Sequence, residues 1–373
     1  MKTQPLTRAD QVGSLLRPES VKQAWVAFEA GELDAVGRRE VEDEAARTSV
    51  RQQEATGIGA VSDGEFRRDV WWSGFIPHIH GIEITRASTS PFEHEEEEDS
   101  GEAAYVPKLL RTADRLRHPG PPVMGHDHAF LASLTNRVPK VTIPAPSRFH
   151  FQYGTSSLDP TVYPDRDEFW ADVAAIYQAE IAGLEAQGCR FIQLDDPVMS
   201  FFCDPEARAN ISSSGEDPDE LLGRYVGAVN DAVSQRSPDT TIGLHICRGN
   251  ARSAWAVSGG YAAIAEQTFS QLDVDVYYLE FDDERAGDFQ PLAAMPDTAS
   301  VVLGLVTSKR PKLESPDELK RRLDQASAFI DPDRLALSPQ CGFASILEGN
   351  LLTEADQWAK LELVAATAHD YWG

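Results

Sequence analysis

The chain has 373 residues, 42% of them hydrophobic, so it is long enough for one large α/β domain with a full core. Its net charge of −26 disfavours nucleic acid and anionic membranes as partners, because both attract basic patches. We find no transmembrane run and no signal peptide, and four unevenly spaced cysteines do not suggest a disulfide framework. These features predict a protein of the reducing cytoplasm.

Short apolar runs alternate with amphipathic stretches along most of the chain. Eight runs are typical of buried parallel strands, at 11–15, 58–66, 140–146, 191–197, 241–247, 274–281, 300–309 and 335–341. Helical patterns lie between most of them, most clearly at 167–188, 315–330 and 352–372. Eight strand–helix units favour an α/β fold with a single TIM (β/α)8 barrel over residues 1–373. A doubly wound sheet shares this alternation and stays open as an alternative.

Residues 67–139 are too many for one helix and its loops, and they separate the second and third predicted strands. They contain GIEITRAS at 81–88, an acidic run at 93–99 and AAYVPKLLRTADRL at 103–116. We interpret this segment as an insertion outside the barrel, with a hairpin, an exposed acidic loop and a helix.

Polar side chains cluster at the ends of the predicted strands, which form the active-site face of a TIM barrel. His245 and Cys247 are two positions apart, so on an extended strand both side chains point to one face and can reach one ion. Imidazole plus thiolate is a ligand set that favours zinc. Cys341 lies at another strand end, and Glu280 can supply a fourth, harder ligand. A lone His-x-Cys pair is also compatible with a buried cysteine that only fills space.

Three further positions are candidates for substrate contacts. Asp195 ends a strand and can face the barrel mouth, where it would bind an amino group or act as an acid or base; capping of the next helix is the other interpretation. Glu65 can orient a substrate amine or pair with a neighbouring arginine. Ser14 follows Gly13, which allows either close approach to a ligand or a tight turn.

Seven motifs make the chain recognisable when they are taken together. They occur in the order RADQVGSLLRP, SDGEFRR, FIQLDDP, HICRGN, YYLEFDD, LGLVTSK and SPQCGF. This series resembles the catalytic C-terminal barrel of cobalamin-independent methionine synthase, in the uroporphyrinogen decarboxylase/methionine synthase-like superfamily, from about residue 8 to about residue 370. The resemblance implies a TIM barrel and a zinc ion held by His245, Cys247, Glu280 and Cys341.

The resemblance also implies a homocysteine site at Ser14, Glu65 and Asp195, with the two carboxylates on the ammonium group. In that family the zinc-bound thiolate attacks the methyl group of a folate, and a histidine at the end of the seventh strand protonates the departing folate. Here that segment reads LVTSKRP, and Lys309 takes the place of the histidine. Lys309 is therefore the candidate acid, although an ordinary lysine pKa of about 10.4 suits this role poorly near neutral pH.

The sequence therefore predicts a zinc-dependent S-methyltransferase that makes methionine from homocysteine and a 5-methyltetrahydrofolate-type or corrinoid methyl donor. Epoxyalkane:coenzyme M transferase looks similar and is the alternative; there a cation such as Arg17, Arg67, Arg68 or Arg248 would hold a sulfonate. Glu65 and Asp195 would repel a sulfonate, which favours an amino-acid thiol. A non-enzymatic zinc protein fits least well, because it needs no substrate carboxylates. The donor and any homo-oligomer stay open.

Overall fold

The computed structural model describes residues 6–87, 106–152 and 155–373. The acidic run at 93–99 lies outside these residues. In this part of the chain the strands are β1 (Ala60–Val61), β2 (His80–Arg86), β3 (Lys108–Arg117), β4 (Val138–Pro139), β5 (Val141–Pro144), β6 (Phe151–Gln152), β7 (Thr155–Ser156), β8 (Phe191–Asp195), β9 (Thr241–Ile246), β10 (Val276–Glu280), β11 (Ser300–Val306) and β12 (Leu335–Pro339).

The helices alternate with the later strands, as the sequence predicts. They are α1 (Glu19–Glu29), α2 (Ala35–Thr56), α3 (Gly125–Leu134), α4 (Arg166–Ala186), α5 (Pro205–Ser213), α6 (Pro218–Val233), α7 (Ala265–Thr268), α8 (Pro316–Ala326) and α9 (Glu354–Trp372). Local sequence sets several of their ends. Asp217 accepts hydrogen bonds from the first backbone N–H groups of α6, and Thr353 with Asp356 forms a capping box at the start of α9.

A parallel sheet forms the centre of the fold, with the strand order β12-β11-β10-β9-β8-β5. Every residue of β8, β9, β10, β11 and β12 is buried, which is why these strands read as continuous apolar runs. The register places Asp195 of β8 opposite His245 of β9. Because all six strands run the same way, their carboxyl ends meet at one edge of the sheet, where the candidate residues lie.

Backbone hydrogen bonds also connect the two outer strands of this sheet. The N–H of Asp10 donates to the carbonyl of Leu337 in β12 (2.9 Å), and the N–H of Gly59 donates to the carbonyl of Ala9 (3.0 Å). On the other side, β1 pairs in parallel with β4, which directly precedes β5. Segments 8–10 and 59–61 therefore lie in series between β12 and β5.

The predicted strand at 11–15 is wrong, because regular pairing in this region is limited to a bridge between Ala9 and Leu337. At Gly13 the chain passes so close to other groups that a Cβ would lie 2.8 Å from Glu65 Oε1 and 2.8 Å from Thr142 Cγ2. Position 13 therefore has no room for a side chain, and the next residue, Ser14, packs against Gly342. The other seven predicted strands each contain an observed one.

The long segment between β1 and β5 contains an antiparallel pair, β2 with β3. The predicted helix at 103–116 is wrong over the part that the structure describes, because residues 108–117 form β3. Leu110, Thr112 and Leu116 are buried and lie an even number of positions apart, so they share one face of the strand. The helix of this segment is α3, further along the chain. No helix of the described residues is long and apolar enough to cross a membrane.

Candidate metal centre

Three buried side chains converge at the carboxyl edge of the sheet. His245 lies in β9, Cys247 comes directly after that strand, and Cys341 comes two residues after β12. One possible ligand atom from each of the three lies within 4.8 Å of the others. The i and i+2 positions put His245 and Cys247 on one face, and the turn after β12 brings Cys341 to them. The predicted ligands His245, Cys247 and Cys341 are therefore neighbours in space.

A carboxylate orients the imidazole of this cluster. His245 Nδ1 donates to Asp195 Oδ1 at 3.2 Å, and Gln193 Nε2 donates to the same oxygen at 2.7 Å. The other ring nitrogen, Nε2, is buried and has no hydrogen-bond partner among the described residues. A carboxylate on one nitrogen and a free second nitrogen is the arrangement of metal-binding histidines.

The two thiols differ in acidity because they hydrogen-bond to each other. The bond to Cys247 outweighs burial and holds the pKa of Cys341 well below its usual range. The same bond, with burial and the charge of Glu280, raises the pKa of Cys247. Burial alone would lower the pKa of His245, but Asp195 and Cys341 raise it to about 10.

This cluster fits a metal ion on two grounds. An unpartnered buried nitrogen is costly to leave unsatisfied, and a cation would satisfy it. One imidazole nitrogen and two sulfurs, with one thiol already acidic, are donors that suit a borderline-soft divalent cation.

Glu280 ends β10 close to this cluster but is not one of the three converging residues. It is 1% exposed, and its Oε2 accepts the backbone N–H of Arg248 at 2.9 Å. Its charge is among the causes that raise the pKa of Cys247, which places the carboxylate near the thiols. Its predicted role as fourth ligand therefore remains a prediction.

Ser14 packs against the turn that carries Cys341. A Cβ on Gly342 would lie 1.9 Å from Ser14 Oγ, so a side chain at this position would displace the serine. The N–H of Phe343 donates to the Ser14 carbonyl at 2.8 Å. The glycine after Cys341 therefore permits close contact between the first predicted substrate residue and the metal cluster.

Glu65 lies in a tight turn after β1 and has a left-handed φ of 59°. Its Oε1 accepts from Thr142 Oγ1 at 2.7 Å, whereas Oε2 is buried without a hydrogen-bond partner among the described residues. Arg68 Nη1 lies 3.5 Å from Oε2. Burial, opposed by Arg68, raises the pKa of the Glu65 carboxyl. The charge of Asp195 acts in the same direction as burial, so a cationic group between the two carboxylates would stabilise both.

A cavity opens above the cluster. Its floor contains six of the predicted site residues, which are Ser14, Glu65, Asp195, His245, Cys247 and Cys341. Its walls are mainly apolar and aromatic, and they include Trp71, Trp72, Phe151, Phe201 and Ile346. Glu280 and Lys309 do not line it. Lys309 is 4% exposed, and its Nζ points at the carbonyl of Gly249 (3.4 Å).

Sequence reasoning missed Arg148, which lines the cavity from the turn after β5. Its guanidinium lies over the ring of Trp72 at 5.0 Å, and Nη1 donates to the carbonyl of Phe151 at 3.3 Å. The available signal was its position in the turn that follows the carboxyl end of β5, the same edge of the sheet at which the other candidates lie. The motif series did not include this turn.

The four arginines considered for a sulfonate serve other groups. Arg17 donates to backbone carbonyls, including those of Glu65 and Arg68 at 2.9 Å each. Arg67 pairs with Asp43 and Asp63. Arg68 donates to Thr142. Arg248 is fully buried and is not among the residues that line the cavity.

Comparison with known proteins identifies the family. A family model described as the catalytic domain of cobalamin-independent synthase matches residues 156–356. An uncharacterised Bacillus subtilis protein, YxjH, is 41% identical over 98% of this chain and 94% of its own length. A methionine synthase from Pyrococcus abyssi is 25% identical over 91% of this chain and 86% of its own length.

The chain belongs to the cobalamin-independent methionine synthase family. A crystal structure of a Listeria monocytogenes protein described as a vitamin-B12-independent methionine synthase has the same α/β fold. The two share 30% identity and a TM-score of 0.78, with 98% of each chain covered. Membership confirms the family that the seven sequence motifs indicated.

Proposed function

We propose that this protein is a zinc-dependent methyltransferase that transfers a methyl group to homocysteine and so forms methionine. The observation that carries the proposal is the position of the His245, Cys247 and Cys341 cluster on the floor of a cavity that also contains Ser14, Glu65 and Asp195. A metal-binding cluster alone would suit many functions. Two carboxylates beside it favour a substrate that has both a thiol and an ammonium group.

His245, Cys247 and Cys341 would hold the zinc ion, with Glu280 as the fourth ligand. Bound there, zinc would act as a Lewis acid that lowers the pKa of an incoming thiol. Asp195 keeps the proton of His245 on Nδ1, so that the lone pair of Nε2 stays available to bind the metal ion. Gln193 in turn holds the Asp195 carboxylate in place.

Glu65 and Asp195 would bind the ammonium group of homocysteine. Oε2 of Glu65 is buried without a hydrogen-bond partner among the described residues, and an ammonium N–H would supply one. Ser14, which lines the same cavity, would contact the amino-acid end of the substrate. Because Asp195 Oδ1 already accepts from His245, the ammonium and the histidine would share this carboxylate.

The apolar walls above the floor would receive the methyl donor, either a 5-methyltetrahydrofolate-type compound or another donor. Trp71 and Phe151 are lining residues against which a ring could pack, and they would keep water from the reacting thiol. Lys309 does not line the cavity, but its Nζ donates to the carbonyl of Gly249, which does. To protonate a departing amine, Nζ would have to leave this carbonyl.

The fold that we propose for this site is a closed TIM barrel over residues 1–373, with the segment at 67–139 as an insertion. Support comes from the backbone hydrogen bonds that connect β12 to segment 8–10, that segment to β1, and β1 to β4. Lys140 Nζ and the Tyr278 hydroxyl both donate to Asp10 across the interior, at 3.1 and 2.8 Å. Eight parallel segments in a circuit would gather all the strand ends around one mouth.

A coenzyme M-type thiol is less well supported. The four arginines first considered for its sulfonate are engaged elsewhere, and Arg148 is the cation that lines the cavity among the described residues. Glu65 and Asp195 on the floor would repel a sulfonate placed near the metal.

The test combines metal analysis with a donor screen. Purified protein should contain about one zinc per chain, and Cys341→Ser should lose it, whereas Cys189→Ser, a buried cysteine outside the cluster, should keep it. Zinc-loaded protein would then be incubated with homocysteine and either methyltetrahydrofolate or methylcobalamin, and methionine measured by mass spectrometry. Full zinc content in Cys341→Ser would contradict the ligand assignment.

Absence of both homocysteine binding and methionine formation would contradict the proposed substrate.

A further inference from the structure

Arg248 directly follows the ligand Cys247 and is fully buried, at 0% exposure. Its side chain does not line the cavity and donates hydrogen bonds to three oxygen acceptors. Nε and Nη2 reach the carbonyl of Gly259 at 3.0 and 2.8 Å, and Nη1 reaches the Tyr261 hydroxyl at 3.0 Å and the Glu280 carbonyl at 3.1 Å. The guanidinium also lies over the Tyr261 ring at 4.2 Å.

Arg248 also contacts Glu280 through its main chain. Its backbone N–H donates to Glu280 Oε2 at 2.9 Å, so the main chain fixes the carboxylate while the side chain fixes the carbonyl. Tyr261 completes the connection: its hydroxyl donates to the Ile246 carbonyl at 2.8 Å and accepts the Glu280 N–H at 2.9 Å. The end of β9 and the end of β10 are therefore joined by a compact network around one guanidinium.

Burial of a guanidinium is costly unless its charge and its donors are matched. Here the negative charge of Glu280 and three oxygen acceptors provide that match. A planar, forked group can serve these acceptors together, which a lysine ammonium cannot do from the same position. Movement of Glu280 would leave the buried cation unmatched, so the two residues constrain each other.

We propose that Arg248 is a positioning residue that joins the ends of β9 and β10 and thereby sets where Cys247 and Glu280 stand relative to the metal. This inference rests on the proposed zinc site. Arg248 does not line the cavity, so it acts through Cys247 and Glu280 and not on the substrate. Residues that support metal ligands in this way change metal affinity about 10- to 100-fold when they are replaced.

The test uses the full chain loaded with Co²⁺, whose absorption spectrum reports the geometry of its ligands. Arg248→Lys keeps the charge but loses the planar fork. We expect a changed Co²⁺ spectrum and an affinity for Zn²⁺, measured against a chromophoric chelator, that is about 10- to 100-fold weaker. Tyr261→Phe removes one hydroxyl from the network and should change the spectrum in the same direction but less. Arg224→Lys is the matched control, because this arginine pairs with Asp167 at the surface.

Circular dichroism of each variant separates folding from metal placement. A purely structural role would lower the melting temperature and leave the Co²⁺ spectrum of the folded protein unchanged. Folded Arg248→Lys with a wild-type spectrum and an affinity within twofold of wild type would overturn the inference. If Arg248→Lys does not fold, an unchanged spectrum and affinity in Tyr261→Phe overturns it instead. Wild-type protein that binds no Co²⁺ or Zn²⁺ would contradict the proposed zinc site itself, a result distinct from unchanged variants of a protein that does bind them.

Discussion

Asp195 accepts hydrogen bonds from two neighbours on one of its oxygens and also lines the cavity. Oδ1 accepts from His245 Nδ1 and Gln193 Nε2, and the residue also lines the cavity floor. The adjacent Asp196 points elsewhere, and its Oδ1 accepts the N–H of Met199 at 3.1 Å. Neighbouring residues on a strand face opposite sides, which explains why one carboxylate is at the site and the other supports a turn.

We expect Asp195→Asn to weaken zinc binding about 10- to 100-fold, because an amide orients the imidazole less strongly than a carboxylate does. Homocysteine binding should weaken as well, because one negative charge facing the ammonium is lost. Zinc affinity by chelator competition and homocysteine affinity by calorimetry give the two effects separately. Asp196→Asn is the matched control and should change neither. Unchanged affinities in Asp195→Asn would exclude both roles.

Gly342 controls how closely Ser14 approaches the turn of Cys341. In Gly342→Ala the new Cβ would lie 1.9 Å from Ser14 Oγ, so one segment must move. We expect a loss of about 1–3 kcal/mol in the free energy of unfolding, measured by urea denaturation. Removal of the hydroxyl should relieve much of the clash, so the double variant Ser14→Ala/Gly342→Ala should be more stable than Gly342→Ala alone. Strict additivity of the two substitutions would show that the contact is absent in solution.

Among the helices, α2 contains a buried acid. Glu42 is 1% exposed and lies 3.2 Å from Arg38 one turn earlier. Burial, opposed by the charges of Arg38 and Arg39, raises the pKa of this carboxyl from 4.5 to about 7. Between these values the folded chain keeps a proton that the unfolded chain has released. The contribution of Glu42 to stability is therefore lost as the pH rises through this window.

Glu42→Gln should remove this pH dependence, because an amide does not titrate. We expect the free energy of unfolding of Glu42→Gln, relative to wild type, to rise by about 1–2 kcal/mol between about pH 5 and about pH 8. Glu44→Gln on the exposed face of the same helix is the control, and its difference from wild type should stay flat. A flat difference for Glu42→Gln as well would show that Glu42 titrates alike in the folded and unfolded chain.

Across the fold, a metal ion would connect parts of the sheet that are distant in sequence. Cys247 follows β9 and Cys341 follows β12, with β10 and β11 between them in the strand order. Because the unfolded chain does not hold these donors together, metal binding favours the folded state.

Removal of zinc with a strong chelator should therefore lower the melting temperature of wild-type protein. With free zinc about 100-fold above its dissociation constant, the stabilisation that is lost amounts to about 2.7 kcal/mol. Differential scanning calorimetry with and without chelator measures it. Cys341→Ser, which lacks one donor, should melt at the same temperature in both conditions. A chelator effect of equal size in both proteins would indicate that the metal binds elsewhere.

Sequence pattern predicted most of the central sheet and the three clearest helices, because buried parallel strands and amphipathic helices have local signatures. It failed at 11–15, where pairing with β12 is limited to a bridge at Ala9, and at 103–116, where residues 108–117 pair with β2 as a strand. Both errors concern segments whose conformation depends on residues that are distant along the chain.

The sequence by itself determined the chemistry of the candidate centre: His245 and Cys247 two positions apart on a strand, Cys341 in its own motif, and the family to which the chain belongs. Residues two positions apart on a strand point to the same face, so the pairing of His245 with Cys247 can be predicted from the local sequence. Only the tertiary structure decided that Asp195 orients His245, that Arg248 holds Glu280 and that the Nζ of Lys309 donates to the Gly249 carbonyl. These are contacts between different strands and loops, and they depend on how the sheet aligns its strand ends, which no local pattern specifies.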